Sequence, residues 1–206
     1  MKKGDIIKFG NYPQDSDGSI SPIEWLVLDI KTPSLINRLF HGDKIEALLV
    51  SRYGLDCQKY HNVWTNITWE DCALRKWLNN DFIKSAFSEE EAKKIKVSEL
   101  KNEDNPEYRT RGGNNTKDRI FCLSINEAEH YFGSDNDRQC KPTAYARKQG
   151  ASSHGNDCCF WWLRSPGLDQ HYATYVLTFG ALGLLGYNVD GVHGAVRPAL
   201  RIICNL

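Results

Sequence analysis

Seven cysteines, six histidines and two arginines close to prolines are the residues of this 206-residue chain most able to carry chemistry. The cysteines (Cys57, Cys72, Cys122, Cys140, Cys158, Cys159, Cys204) are odd in number and have no CxxC spacing. Cys158 and Cys159 are adjacent, a poor placement for bridging one another or for sharing a tetrahedral zinc. Reduced thiols in a reducing compartment are therefore expected. The histidines (His41, His61, His130, His154, His171, His193) are scattered, and no pair has the i, i+4 spacing of a helical zinc site. No GxSxG, Walker A, HExxH or post-strand GxGxxG motif occurs. The run GALGLLG (180–186) has no Lys-Ser/Thr and opens no helix, so it does not predict a phosphate cradle. The sequence thus predicts no catalytic residue, no metal and no cofactor.

Arg164 and Arg197 lie within apolar segments. A buried guanidinium keeps its charge and must be paired and hydrogen-bonded. Both arginines, together with Trp162, are read as structural residues, with anion binding as the other option for the arginines. Alternation along a strand would send one of Trp161 and Trp162 into the core and the other outward, where it could stack on a ligand. With 26 basic against 26 acidic residues, the chain has no basic excess of the kind a nucleic-acid or anionic-membrane partner would demand. No signal-peptide-length apolar stretch follows Lys2-Lys3, and no run long enough to span a membrane occurs. A cytoplasmic protein is expected from the chain as written, with surface display left open. Apolar residues make up 41% of the chain, enough to exclude wholesale disorder.

Elements must position these residues. Ile6–Phe9 and Glu24–Leu28 read as strands around a turn at Asp15-Ser16-Asp17-Gly18-Ser19, and 46–51 as a third strand. That DxDG lacks the remaining ligands of a calcium loop. Capping boxes at Thr68–Asp71, Ser88–Glu91 and Ser124–Glu127 predict helices. The first presents Leu74, Trp77 and Leu78 and ends at Asn79-Asn80-Asp81; the second runs to about Ile95; the third stops at Gly133. A fourth short helix spans Pro142 to Gln149, closed by Gly150. Asn102 to Asp118 is a polar surface loop. From Cys159 onward aromatics and glycines alternate with apolar residues, predicting short strands that end with one over 196–203. Strands, then helices, then strands without βαβ alternation make an α+β chain.

The blocks GDIIKFGNYPQ (4–14), PIEWLVLD (22–29), ALLVSRYGLDCQKY (47–60), TWEDCALRKWLNNDF (68–82), AFSEEE (86–91), CKPTAYA (140–146), WWLRSPG (161–167) and AVRPALRI (195–202) resemble a bacterial domain family of unknown function, DUF6273. The C-terminal third is also similar to the variable proteins of diversity-generating retroelements, which have a C-type-lectin fold of the formylglycine-generating-enzyme kind. That resemblance implies one domain over 1–206, α+β and C-type-lectin-like, with mixed and antiparallel strands and a few short helices. It implies a non-catalytic binding protein whose C-terminal face, about 158–194, is rewritten by adenine-directed mutagenesis. Asn codons changed in this way cannot become Lys, Gln, Glu, Met or Trp, and none of those five occurs in 171–195.

The implied ligand-binding residues are Cys158, Phe160, Asp169, His171, Tyr172, Leu177, Phe179, Gly183, Leu184, Leu185, Tyr187, Asn188, Gly191 and His193, with Gly194 completing the face. Val176, Val189, Ala195 and Val196 would be the inward scaffold. Apolar residues at 177, 179, 184, 185 and 187 are either an exposed binding surface or the core of a β-meander. The partner implied is an unknown protein or other macromolecule, with no nucleic acid and no membrane. The enzymes of the same fold suggest a rival, a metal- or thiol-dependent oxidoreductase, but their spaced cysteine pair and histidine ligands have no counterpart here. The EPN and WND motifs of calcium-dependent sugar binding are also absent. An undiversified protein-interaction domain is the other alternative.

Overall fold

The computed structural model describes residues 1–32, 44–154 and 157–205. His41 lies outside the described residues, and so does the side chain of His154. The strands are β1 (Ile6–Pro13), β2 (Ile20–Lys31), β3 (Lys44–Ser51), β4 (Asp56–Cys57), β5 (Ser98–Leu100), β6 (Thr116–Asp118), β7 (Ile120–Phe121), β8 (Ser153–His154), β9 (Cys158–Cys159), β10 (Trp161–Pro166), β11 (Tyr172–Val176), β12 (Leu182–Asn188), β13 (Ala195–Val196) and β14 (Ala199–Asn205). Two five-stranded sheets, β1-β2-β3-β14-β7 and β12-β11-β10-β13-β4, are accompanied by the two-stranded pairs β5-β6 and β8-β9. The ladders are antiparallel apart from the parallel contact of Trp161 in β10 with Ala195 in β13. The architecture is mixed α and β, with antiparallel sheets and short helices.

The first hairpin follows from its turn: Pro13 faces Ile20, and Gly18 supplies the positive φ of 86° that the reversal needs. All four expected helices form, three of them close to the expected bounds. Ser88 and Ser124 make complete capping boxes with Glu91 and Glu127, opening helices over Glu89–Lys94 and Ile125–Tyr131. Thr143 caps Ala144–Lys148, and Gly150 follows in the left-handed region.

The first helix departs from expectation at both ends. Thr68 instead closes a turn, its carbonyl accepting from Asp71 and Cys72 N–H, and the helix starts at Ala73 with Cys72 as its cap. Asn79 and Asn80 do not end it. Their side-chain amides donate to the carbonyls of Arg75 and Lys76 (3.0 and 2.7 Å), and the chain continues as a π-helical turn, Leu78–Phe82, and then Ile83–Ala86. This stretch places Phe82 and Phe87 against Tyr12, Phe9 and Trp25 of the first sheet. One continuous set of buried side chains runs through both large sheets and these helices.

The expected last strand over 196–203 is two strands in two sheets. β13 pairs with β10 and β4, whereas β14 pairs with β3 and β7. Arg197-Pro198 is the crossing point: proline has no N–H to continue a ladder, and its carbonyl takes the Ser51 N–H at 2.9 Å. The crossing carries the chain from the sheet that bears the candidate face into the framework sheet. β6 falls within the expected loop 102–118, so that the loop proper is 102–115, and a single-turn helix Asp135–Arg138 forms where no element was assigned.

Candidate ligand-binding face

β10 is the central strand of the second sheet, and its two tryptophans do not divide into one inward and one outward ring. Both are fully buried, because each face of the strand is covered. Trp161 lies under the guanidinium of Arg197, 4.9 Å from its ring centroid, and beside Phe132. Trp162 lies under Tyr187 and next to Tyr60 and Phe160, and its indole N–H donates to the Gln58 carbonyl at 2.9 Å. Phe160 sits 5.4 Å from both Tyr175 and Tyr187. The outer side of the sheet is thus paved with half-buried aromatic rings.

Glycines seat this paving. A Cβ at Gly194 would fall 2.0 Å from the Trp162 indole nitrogen, one at Gly191 2.1 Å from the Tyr187 ring, and one at Gly183 2.7 Å from the Tyr175 ring. The structure therefore reads Gly183, Gly191 and Gly194 as packing positions and not as contact residues, because a side chain there displaces a ring.

The backbone between the rings is fixed by bonds that involve no replaceable side chain. β12 pairs Tyr187 with Ala173 and Gly183 with Tyr175, so residues 184–186 stand opposite Thr174 alone and bulge from the ladder. Asn105, almost fully buried, reaches this bulge from the 102–115 loop: its amide donates to the carbonyls of Leu184 and Pro166, both at 2.9 Å. Its carbonyl oxygen accepts from Glu107 and Tyr108 N–H. Leu168 N–H takes the Leu185 carbonyl at 2.8 Å. Gly186, at φ 88°, lies back to back with Gly167, its α-carbon 3.0 Å from where a Cβ on Gly186 would stand.

Side chains then project from this frame. Phe179 is 56% exposed and Leu185 54%; Leu168, bonded through its backbone to Leu185, and Val192 are exposed as well. Asp169, Asn188 and His193 are exposed, and His171, Tyr172, Leu177, Leu184 and Tyr187 are half-buried. Asp169 accepts the His171 backbone N–H at 2.7 Å and faces its ring Nδ1 at 3.2 Å. Val176, Val189, Ala195 and Val196 are fully buried. Cys158 is buried beneath the surface, its Sγ 3.8 Å from Gln139 Oε1, so it presents nothing to a partner.

Sequence reading missed Trp64. This side chain is 47% exposed, stacks on His171 at 4.9 Å and meets Tyr172 edge-on at 5.3 Å, extending the face beyond the C-terminal third. The available signal was a tryptophan in a polar stretch with neither helical nor strand periodicity, next to Val63, which is also exposed.

The two arginines are stapled in place. Arg197 donates to the carbonyls of Ser51 and Arg138 at 3.0 and 3.1 Å. Arg164 donates to the carbonyls of Cys122 (2.9 Å) and Lys101 (3.2 Å) and to Asn102 Oδ1 (3.2 Å), and pairs with Glu127. Burial pushes the thiols of Cys57 and Cys72 up to about 12 and raises those of Cys122 and Cys158 as well. Those thiols are protonated at neutral pH, a poor state for attack or for metal ligation. His61 is lowered by burial and by Lys76, and its Nδ1 accepts the Ala73 N–H. Among the described residues no group of three or more His, Cys, Asp or Glu side chains could hold a metal ion. Nor is any helix among them long and apolar enough to cross a membrane. A surface groove of about 610 Å³ lies beside the face, lined by Gln58, Lys59, Asn62, Leu74 and Trp77, and meets the face at Val192.

A model of the family described as a domain of unknown function, DUF6273, matches residues 45–203. No curated protein and no solved structure matches the chain.

Proposed function

The chain belongs to the DUF6273 family, and we propose that it is a non-catalytic binding protein whose C-terminal face engages a macromolecular ligand through side chains that differ between copies of the gene, as in the variable proteins of diversity-generating retroelements. A C-type-lectin-like fold goes with this reading. The observation that carries it is the division of labour within 160–194: the backbone is held by bonds to Asn105 and Leu168, aromatic rings pack over its glycines, and Phe179, Leu185, Asp169, Asn188 and His193 are exposed. Exposed large apolar side chains carried on a rigid frame are a common make-up of a recognition surface. The absence of Lys, Gln, Glu, Met and Trp from 171–195 adds support from the coding side.

The test is the fold's indifference to those side chains. Phe179→Asn and Leu185→Asn should each change the unfolding free energy by no more than about 0.5 kcal/mol in urea denaturation, as exposed positions do. A loss of about 2–5 kcal/mol at either would mark it as core and remove the face.

A further inference from the structure

We propose that Cys140 and Cys159 form a thiol-modification site, closing an intramolecular disulfide when the chain meets a small-molecule disulfide. The Cys159 backbone N–H donates to the Cys140 carbonyl at 2.8 Å, and the Cys159 Sγ lies 3.3 Å from the same oxygen. A backbone bond of that length holds the two α-carbons within about 7 Å of each other, inside the limit for bridging without backbone movement. The Cys140 Sγ lies 3.6 Å from the Lys141 carbonyl oxygen and 3.8 Å from that of Arg52; each of the two thiols acts on the ionisation of the other, and the fixed charge of Arg197 acts on both. Gly54 packs against Cys159, since a Cβ there would stand 3.2 Å from the Cys159 Sγ. Cys158, the neighbour in sequence, faces Gln139 instead.

The pair is asymmetric. Burial raises the Cys140 thiol, but the Cys159 thiol, the Arg197 guanidinium and the Gly54 backbone outweigh it and leave Cys140 the more acidic of the two. The Cys159 thiol is raised, first by Cys140 and then by burial. Cys140 is therefore the attacking thiolate. It attacks one sulfur of the small disulfide RSSR, forming a mixed disulfide and releasing RS⁻, which takes up the Cys140 proton. Cys159 then loses its proton to the second RS⁻ as its sulfur attacks that of Cys140 and expels it. The balance is one protein dithiol and one RSSR giving one protein disulfide and two RSH. Both thiols are buried, so the reaction requires local opening, which we place at β8–β9, a ladder of only two residue pairs that carries Cys159 opposite Ser153.

The folded full-length chain is incubated with oxidised glutathione, quenched with acid, alkylated, and mapped by mass spectrometry without reduction. The expected result is a loss of two titratable thiols and a peptide joining Cys140 to Cys159, reversed by dithiothreitol. Cys158→Ser should leave that link unchanged, and Cys159→Ser should convert it into a glutathione adduct on Cys140. Recovery of both cysteines alkylated, at oxidant levels that modify the partly exposed Cys204, would overturn the proposal, as would a link from Cys140 to Cys158. The wild-type map alone decides the matter if either variant fails to fold.

Discussion

Arg164→Ala is expected to lower the unfolding free energy by about 3–5 kcal/mol, the usual cost of removing one partner of a buried, hydrogen-bonded ion pair. The guanidinium is almost wholly buried and serves four acceptors from three chain segments: Lys101 and Asn102, Cys122, and the Glu127 carboxylate. Alanine would leave those carbonyls without this donor and the Glu127 carboxylate without its charge partner, and would open a void against Phe121, over whose ring the guanidinium sits at 5.8 Å. Arg164→Lys keeps the charge but not the planar fork, so it should restore only part of the loss. Equilibrium urea unfolding measures both. A cost below about 1 kcal/mol for the alanine variant would mean that water satisfies these groups and that Arg164 is not a staple.

Gly180→Ala should cost about 3 kcal/mol or more, through overpacking and a disfavoured backbone conformation together. Gly180 has φ 92°, and a Cβ there would stand 1.7 Å from the Asp135 carbonyl oxygen. That contact is with backbone, so no side chain can swing away. The same glycine's carbonyl accepts from Arg138 Nε at 2.9 Å, so displacement of 180 also disturbs the helix Asp135–Arg138. Its neighbour Phe179 is exposed and should tolerate replacement, so adjacent positions are predicted to differ by several kilocalories. Thermal melting of G180A and F179A side by side checks this. Equal melting temperatures would show that the turn is not held as described.

How much of this was legible in the sequence depended on whether the signal was local. Capping boxes at Ser88 and Ser124 announced their helices, because both partners lie within four residues. The hairpin turn at 15–19 was equally readable. The Asn79-Asn80-Asp81 stop failed because both asparagine amides found carbonyls one turn back, and Phe82 was needed in the core beneath Tyr12. The split at Pro198 was invisible because it depends on Ser51, far away in sequence, taking up the proline carbonyl. At the face, 179, 185, 188 and 193 were named by the family resemblance, and the pattern of residues left 179 and 185 open between an exposed surface and a β-meander core; both are exposed. The inner role of Gly183 and Gly191 could not be read, because it depends on which aromatic ring lies over each one. Trp64 and Asn105 come from distant loops and were out of reach for the same reason.

The most direct test of a rewritten binding face is the DNA sequence around the encoding gene. The account predicts a near-copy of the codons for residues 155–203 beside a reverse-transcriptase gene, differing only where the copy has adenine. The differences should fall on exposed positions such as 169, 179, 185, 188 and 193 and on half-buried 171, and spare Gly180, Gly186, Gly194, Val176 and Val189. Absence of such a copy would contradict diversification and leave an interaction domain with a single fixed surface. Differences spread over the glycines and buried valines would contradict the face itself.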